Sequence, residues 1–277
     1  MSLWRGKQEQ QNVFDEVAQG ICCFKCVGIN SQNDGNLFVK KVVKYVGIIP
    51  KGALIIDVGC GIGTLFHELR AQNVPALYYL IGIDISTASA KVAKKRNGAA
   101  EFIVCDIERL PFREKISEMV IVRNVLHHLP TLGALDNLAR LLSSNGLLLM
   151  DDKINGNPLQ EILFAIYPLM PYRIKMVLRD KDNHIDKFGN LPSIKRYNPK
   201  EYLKFFRRYK DNLTILETEY HGFLNFLNIL MYISNVLPRS YAFKFFIEKL
   251  NSRNYHNMFL WSAVSMTVVL ECSKPIA

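Results

Sequence analysis

The chain has 277 residues, of which 49% are hydrophobic and 22% are charged. This composition excludes an intrinsically disordered chain, and 16 glycines, 11 prolines and six cysteines exclude collagen-like and disulfide-scaffold classes. The formal charge of +10 favours anionic partners such as membrane surfaces, nucleic acids or acidic metabolites, and does not choose among them.

Residues 1–37 are predicted to form an N-terminal helical cap. The stretch Met1–Gln11 is polar and has no apolar signal-peptide core, and the six cysteines follow no paired framework. We therefore expect reduced thiols and a cytoplasmic location. Cys23 and Cys26 form an isolated C-x-x-C with no second pair and no nearby histidine, so no metal site is predicted.

Residues 38–152 are predicted to form the ligand-binding core, because short apolar runs alternate there with amphipathic stretches. The predicted strands are Leu54–Val58, Tyr78–Ile83, Glu101–Cys105, Met119–Val122 and Leu147–Met150, and the predicted helices lie around Leu65–Ala71, Ala88–Arg96 and Leu135–Leu142. This order is typical of βαβ units and predicts an α/β fold with a doubly wound, mostly parallel sheet. Its ligand crevice would lie at the carboxyl ends of the strands.

Residues 153–277 are predicted to form a helical substrate cap plus closing β-strands. The predicted elements are helices at Asn157–Tyr172, Phe223–Leu237 and Tyr241–Leu250 and strands at Leu213–Tyr220 and Trp261–Cys272. The run Phe223–Leu237 is uncharged, but it is shorter than the roughly 20 apolar residues that a membrane span needs. We expect a buried helix or a lid over the acceptor, with a peripheral membrane contact as the alternative.

Most of the positive charge lies in one stretch, Arg173–Lys210, which holds 12 basic and four acidic residues. Within it, Lys195–Lys210 mixes cations with aromatic side chains. One interpretation is an anion- or RNA-binding face. The other, more frequent outcome is a solvated helix that buries Leu203 and Phe206.

The clearest pattern is an apolar strand that runs into Asp57 and then into Gly59, Gly61 and Gly63 at alternate positions. Glycines let the backbone turn sharply and approach a nucleoside, and the N-terminus of the following helix directs N–H groups at the ligand. A pyrophosphate-binding G-x-G-x-x-G loop is the rival interpretation. Here the third glycine comes one residue early, and the carboxylate of Asp57 would repel a pyrophosphate but suits a cationic ligand.

Acidic residues also close the next two strands. Asp84 lies 21 positions after Gly63 (84 minus 63), where it is placed to accept both ribose hydroxyls. Asp106 closes the following strand and can accept a hydrogen bond from an adenine amino group. Together these acids predict a nucleoside ligand and leave the chemistry open.

With these residues the chain resembles the class I S-adenosylmethionine-dependent methyltransferases that act on small molecules. The run Asp57–Gly63 is similar to that family's first motif, Asp84 to its second and Asp106 to its third. The similarity continues through three further stretches: Asp106–Phe112, Val122–Leu129 and Leu138–Leu147. It implies a Rossmann-like fold with a seven-stranded sheet and a helical cap.

Within that family, Val13–Ala18 and Arg123–Val125 look most like ubiquinone/menaquinone-biosynthesis methyltransferases. The chain departs from them at Gln19-Gly20, where they carry Tyr-Asp. It departs again at Ser144-Asn145-Gly146, where Pro-Gly-Gly is usual. Past residue 152 the similarity is weak, which leaves the acceptor open.

The resemblance implies S-adenosyl-L-methionine as the cofactor. The residues it implies for binding are Asp57, Gly59, Cys60, Gly61, Gly63, Asp84, Ile85, Asp106, Ile107, Arg123 and Asn124. Asp84 would hold the ribose, Ile85 would pack on the adenine, and Asp106 with the Ile107 backbone N–H would read the adenine edge. Asp57 either contacts the cofactor's amino group or only ties down the glycine loop.

His127 and His128 are the candidate catalytic residues, because they follow the fourth strand at the crevice where an acceptor would lie. A sulfonium methyl needs mainly alignment, which can supply about 7–11 kcal/mol of the barrier, and a base is needed only for a weakly acidic hydroxyl or carbon. The alternative is packing against the cofactor or capping of the next turn. Neighbours on a strand point to opposite faces, so at most one histidine would face the site. Weaker candidates are Tyr172, His184, Tyr197 and His221.

We predict a methyltransferase acting on a small, lipophilic acceptor. An RNA methyltransferase ranks second, because the fourth strand ends in Arg123–Leu126 rather than the Asn/Asp-Pro-Pro-Tyr of base-amino methylating enzymes. No cysteine follows that strand to act as a C5 nucleophile. A catalytically silent cofactor-binding protein ranks third, because binding is not turnover.

Overall fold

The structure is a computed structural model that describes residues 7–8, 11–12, 14–16, 18–19, 32–71, 78–154, 197–221 and 265–274. Within these ranges the strands form one seven-stranded sheet in the order β3-β2-β1-β4-β5-β7-β6. The strands are β1 (Leu54–Val58), β2 (Tyr79–Asp84), β3 (Glu101–Val104), β4 (Ser117–Arg123), β5 (Leu142–Lys153), β6 (Leu213–His221) and β7 (Ser265–Cys272). Strands β1 to β5 pair in parallel, and β7 pairs antiparallel with both β5 and β6.

Five α-helices of the described residues cover this sheet. They are α1 (Gln32–Val46), α2 (Thr64–Ala71), α3 (Thr87–Arg96), α4 (Ala134–Leu141) and α5 (Pro199–Arg208). None of them has both the length and the apolar content needed to cross a membrane. Helix α1, which the sequence analysis did not predict, runs across residue 37, where the predicted cap and core meet.

The core lies on both faces of the sheet, because alternate residues of each strand point to opposite sides. One face buries Val120, Val122, Leu148 and Met150, and the other buries Met119, Ile121, Leu147 and Leu149. Parallel strands that are covered on both faces read as continuous apolar runs. This explains why the sequence predicts the central strands and the doubly wound sheet correctly.

Strand β5 is longer than predicted and begins at Leu142. Its register with β4 is irregular between Ser117 and Met119, where the polar residues Ser143–Asn145 are accommodated. A side chain at Gly146 would place its Cβ 2.9 Å from the carbonyl oxygens of Ser117 and Ser143. This close approach explains why position 146 is a glycine, as in the Pro-Gly-Gly turn that related enzymes usually carry.

Helix α5 falls within the stretch Lys195–Lys210 and is closed at its N-terminus by a capping box between Asn198 and Glu201. Its buried side chains are Tyr202, Phe205 and Phe206. Of the two residues expected to be buried, Phe206 is buried and Leu203 is partly buried against the main cluster. The predicted helices Asn157–Tyr172, Phe223–Leu237 and Tyr241–Leu250 lie outside the described residues.

Candidate active site

The glycine loop joins β1 to α2 and has one packed side and one open side. Gly59 has φ of +71°, and a Cβ added there would lie 2.1 Å from Cγ2 of Val125. Gly61 has φ of +52°, and an added Cβ would meet no atom within 4 Å. A Cβ at Gly63 would lie 2.5 Å from Nδ2 of Asn97. The loop is therefore pressed against its neighbours at both ends and leaves space at Gly61 for a ligand.

Asp84 fastens this loop to the end of β2. Its Oδ2 accepts the Gly61 N–H at 2.8 Å, and its Oδ1 accepts the Ser86 N–H at 2.8 Å. Burial raises the pKa of Asp84, and these backbone donors oppose the shift. Each carboxylate oxygen has a second lone pair, so the same group can also accept ribose hydroxyls. Ile85, which the resemblance places against the adenine, is half-buried between Asp84 and Ser86.

Asp57 is 3% exposed inside β1. Burial raises its pKa to about 7, and the positive charge of Arg123 opposes the shift. No hydrogen bond from the described loop residues ends on this carboxylate. Asp57 is therefore a buried acid next to the loop, where its ionised form would complement a cationic ligand.

Asp106 caps a short 3₁₀ turn, Ile107–Arg109, at the end of β3. Its Oδ1 accepts the Glu108 N–H at 3.0 Å, and its Oδ2 lies 2.5 Å from Nζ of Lys7. Lys7 also pairs with the Glu108 carboxylate. The side chain of Ile107 is buried below this turn. Ile107 is the first residue of the turn, so its backbone N–H has no acceptor within the helical hydrogen-bond pattern.

The N-terminal segment, by which we mean the described residues among 7–19, contacts three strand ends. Besides Lys7 at β3, Asp15 Oδ1 accepts the Ala88 N–H at 3.0 Å and the Ser86 hydroxyl at 2.5 Å, after β2. The ring of Phe14 is perpendicular to that of His128, after β4, with centroids 5.5 Å apart. The segment therefore lies along the carboxyl ends of β2, β3 and β4.

His127 and His128 lie in a 3₁₀ turn, Leu126–His128, and not on a strand. Their ring centroids are 4.1 Å apart. The expectation that they would point to opposite faces is wrong, because a tight turn does not alternate side chains as a strand does. Burial and the neighbouring His127 lower the pKa of His128 well below its usual value, so His128 is neutral near pH 7.

His127 belongs to a buried polar network with Asp152 and Tyr202. Its Nδ1 lies 2.5 Å from Oδ1 of Asp152, and the Tyr202 hydroxyl donates to Asp152 Oδ2 at 2.9 Å. The Lys153 N–H also donates to Asp152 Oδ1, at 2.9 Å. Burial raises the pKa of Asp152 to about 6, and the hydrogen bonds oppose the shift. The carboxylate is therefore mainly ionised at neutral pH and accepts a hydrogen bond from the Nδ1–H of His127.

The remaining predicted residues lie at the edge of the crevice. Cys60 packs beneath the loop, where a Cβ on Gly82 would be 2.8 Å from its sulfur. Arg123 pairs with Glu68 at 3.3 Å. Asn124 has φ of +55°, and its backbone N–H donates to the backbone carbonyl of Asp151 at 2.8 Å.

Sequence analysis missed Asp152, Tyr202, Lys7 and the role of Asp15. One signal was present, because Asp152 closes an apolar strand in the same way as the acids that were found. The other contacts join residues far apart in the chain and leave no local pattern. Among the weaker candidates, the Tyr197 hydroxyl donates to the Leu129 carbonyl, and His221 ends β6. Tyr172 and His184 lie outside the described residues.

Comparison with known proteins places this geometry in a family. Residues 56–150 match a family model described as a methyltransferase domain. This part of the chain is a class I methyltransferase domain. The family predicted from the sequence is thus confirmed, and with it S-adenosyl-L-methionine as the cofactor that such a domain binds.

The methyltransferase domain is shared by proteins with different acceptors. The tRNA (carboxymethyluridine(34)-5-O)-methyltransferase of Arabidopsis thaliana is 31% identical over 114 residues, which are 40% of this chain and 26% of that protein. The chain thus spans about a quarter of that relative's length.

Among solved structures, a geranyl diphosphate methyltransferase in complex with GPP and sinefungin has a TM-score of 0.54 and 13% identity, over 85% of this chain and 78% of that one. A geranyl diphosphate C-methyltransferase from Streptomyces coelicolor, solved with S-adenosyl-L-homocysteine, has a TM-score of 0.51 and 14% identity, over 87% of this chain and 78% of that one. These two likenesses show the fold.

Proposed function

We propose that the protein is an S-adenosylmethionine-dependent methyltransferase that acts on a small, lipophilic acceptor. The observation that carries this proposal is the close approach of Gly59 to Val125. It puts the turn that holds His127 and His128 directly against the glycine loop. Acceptor-side chemistry and the predicted cofactor loop therefore share one crevice.

The residues of this crevice fit a cationic nucleoside. The carboxylates of Asp57, Asp84 and Asp106 lie at or near the carboxyl ends of three neighbouring strands, where negative charge would attract the sulfonium and ammonium groups. Gly61 leaves an open approach beside Asp84. When bound, the cofactor supplies a methyl group that is already activated for transfer, so the protein's part is to align, to exclude water and to manage a proton.

Two observations support a lipophilic acceptor. The chain carries an uncharged run, Phe223–Leu237, between β6 and β7, where a lid over the acceptor would be expected. Aromatic rings also border the crevice, since Phe14 packs edge-on against His128. We also propose, from the sequence alone, a cytoplasmic location with a peripheral contact to a membrane surface.

An RNA acceptor is the second candidate, favoured by the exposed face of α5. Lys200, Lys204 and Arg207 are all exposed there at the i, i+4, i+7 spacing of one helix face. A row of cations of this kind suits a phosphate backbone. A relative named as a tRNA methyltransferase points the same way.

The deciding experiment uses S-adenosylmethionine labelled on its methyl group. Purified protein is incubated with a cell extract, and the lipid, polar-metabolite, RNA and protein fractions are counted. Label in the organic fraction would support the lipophilic acceptor, and label in RNA would replace it with the second candidate. Asp84→Ala should abolish labelling and weaken cofactor binding, whereas the exposed Asp211→Ala should do neither.

Measured cofactor binding without label in any fraction would contradict the enzymatic proposal. It would favour the cofactor-binding protein without turnover. Unchanged cofactor affinity in Asp84→Ala would instead contradict the role of that carboxylate at the ribose.

A further inference from the structure

We infer that Asp152, held by Tyr202, positions His127 as the base that removes a proton from the acceptor. The acceptor's nucleophilic atom is then a hydroxyl oxygen or an activated carbon, which carries a proton at neutral pH. This inference rests on the proposed function and deepens it. Asp152 and Tyr202 are positioning residues, and His127 is the group that meets the acceptor.

The network around Asp152 is buried. Asp152 is 1% exposed, and its hydrogen bonds come from His127, Tyr202 and the Lys153 N–H. Burying a carboxylate costs desolvation free energy. Apolar residues of similar size can often replace a buried ion pair without loss of stability. A charged group retained at the edge of the crevice is therefore better explained by chemistry than by stability alone.

The two histidines differ in their contact with Asp152. Asp152 accepts a hydrogen bond from Nδ1 of His127, which fixes the neutral tautomer whose lone pair is on Nε2. The same carboxylate stabilises the imidazolium that forms when Nε2 takes a proton. At His128, burial and the neighbouring His127 disfavour the charged form of the ring, so His128 is the poorer proton acceptor of the two.

The turn that carries His127 lies next to the glycine loop. His127 lies two residues after Val125, whose side chain touches the glycine loop at Gly59. The turn is therefore fixed relative to the place where the methyl donor binds. An in-line transfer requires the methyl donor, the acceptor and the base to be aligned in this way.

In the proposed step, methyl transfer and removal of the acceptor's proton occur together. The acceptor's O–H or C–H proton passes to Nε2 of His127, and the electron pair left behind forms a bond to the methyl carbon. The C–S bond of the sulfonium donor breaks, and its electron pair stays on sulfur as a neutral thioether. The positive charge of the donor thus ends on the imidazolium, which Asp152 balances until the proton reaches solvent. An acceptor that is already anionic, such as a carboxylate, would need no base.

The test measures labelling of the fraction that the wild-type protein labels, as a function of pH. Asp152→Asn keeps the shape and removes the charge, so kcat should fall by about 10²-fold or more, with cofactor affinity unchanged. The pH midpoint of kcat should also move down, because the imidazolium loses its partner. Tyr202→Phe should give a smaller loss of kcat and a shifted pH profile.

Tyr209→Phe is the matched control, because its hydroxyl also bonds a carboxylate, Asp136, at the far end of α5. It should leave kcat and the pH profile unchanged. NMR titration of the His127 ring supplies a readout without turnover, and its pKa should drop in Asp152→Asn.

Wild-type kcat and pH profile in folded Asp152→Asn and Tyr202→Phe would overturn the inference while the methyltransferase proposal stands. An N-methyl or methyl-ester product would overturn it as well. Cofactor binding with no labelled fraction would remove both together. An O-methyl or C-methyl product with the expected pH shift would support both.

Discussion

Gly59 and Gly61 share a left-handed backbone and have different surroundings. At Gly59 the space for a side chain is filled by Val125, whereas at Gly61 it is open. Gly59 is therefore required for packing between β1 and β4. Gly61 is required for its left-handed backbone and, in the proposed function, for the space that the ligand would occupy. Substitution separates these two requirements.

We expect Gly59→Ala to lose stability through both effects, about 1–2 kcal/mol for the left-handed alanine and about 1–3 kcal/mol for overpacking. Gly61→Ala should lose only the first amount, and yet its Cβ would occupy the approach to the cofactor. Thermal unfolding and cofactor titration of the two variants check this pair. Equal losses of stability, or intact binding by Gly61→Ala, would contradict the assignment.

Asp57 makes cofactor binding depend on pH. Burial raises its pKa to about 7, and a cationic ligand favours the ionised form, so binding should release a proton. Affinity should therefore rise as pH increases from 6 and level off above about 8, by up to about tenfold per pH unit. Calorimetry in buffers of different ionisation enthalpy measures the released proton directly.

Asp57→Asn should bind the cofactor weakly with no pH dependence near 7, whereas the exposed Asp211→Asn should keep the wild-type profile. The folded pKa lies above the usual 3.8, so the unliganded protein should lose stability as pH rises from about 4 to about 7. A flat affinity profile in the wild-type protein would exclude Asp57 as the titrating group.

At the scale of elements, Asp15 links the N-terminal segment to α3. Its carboxylate bonds the Ser86 hydroxyl and the Ala88 N–H at the helix start, where negative charge also complements the helix dipole. We expect Asp15→Ala to lower stability by about 1 kcal/mol and to speed hydrogen exchange in residues 14–19 and 86–90. Glu16→Ala, on the exposed neighbour, should change neither. Unaltered exchange in Asp15→Ala would show that the segment is held by its other contacts.

The elements also show what sequence can reveal. Strands β1 to β4 were predicted to within about two residues, because buried parallel strands are continuous apolar runs that end in acids. The same pattern located Asp57, Asp84 and Asp106. Strand β5 was predicted too short, because its first residues are polar and are held by an irregular register.

The acceptor side was harder to predict from sequence. The two histidines were found, but their common orientation depends on a 3₁₀ turn that the strand-like sequence does not indicate. Tyr202 lies 50 positions from Asp152, and Lys7 lies 99 positions from Asp106. Such contacts depend on how the helices and the N-terminal segment pack, and local periodicity carries no information on them.

Across the whole molecule, charge is distributed unevenly. The chain carries +10 in total, and yet its crevice gathers the carboxylates of Asp57, Asp84 and Asp106. A negative cleft in a positive protein draws a cation locally, while the outer surface attracts anions. The cationic cofactor would thus be attracted to the crevice, although the protein as a whole is positively charged.

Strand β7 has a consequence for how the protein is made. It lies between β5 and β6 in the sheet, although it is synthesised after both. Until it emerges from the ribosome, β5 has an open edge and β6 has no strand partner among the described residues, so β6 depends on contacts such as those of Glu217 and Glu219 with Lys41 of α1. Open edges of this kind invite pairing with other chains, so the nascent protein should depend on chaperones until β7 inserts.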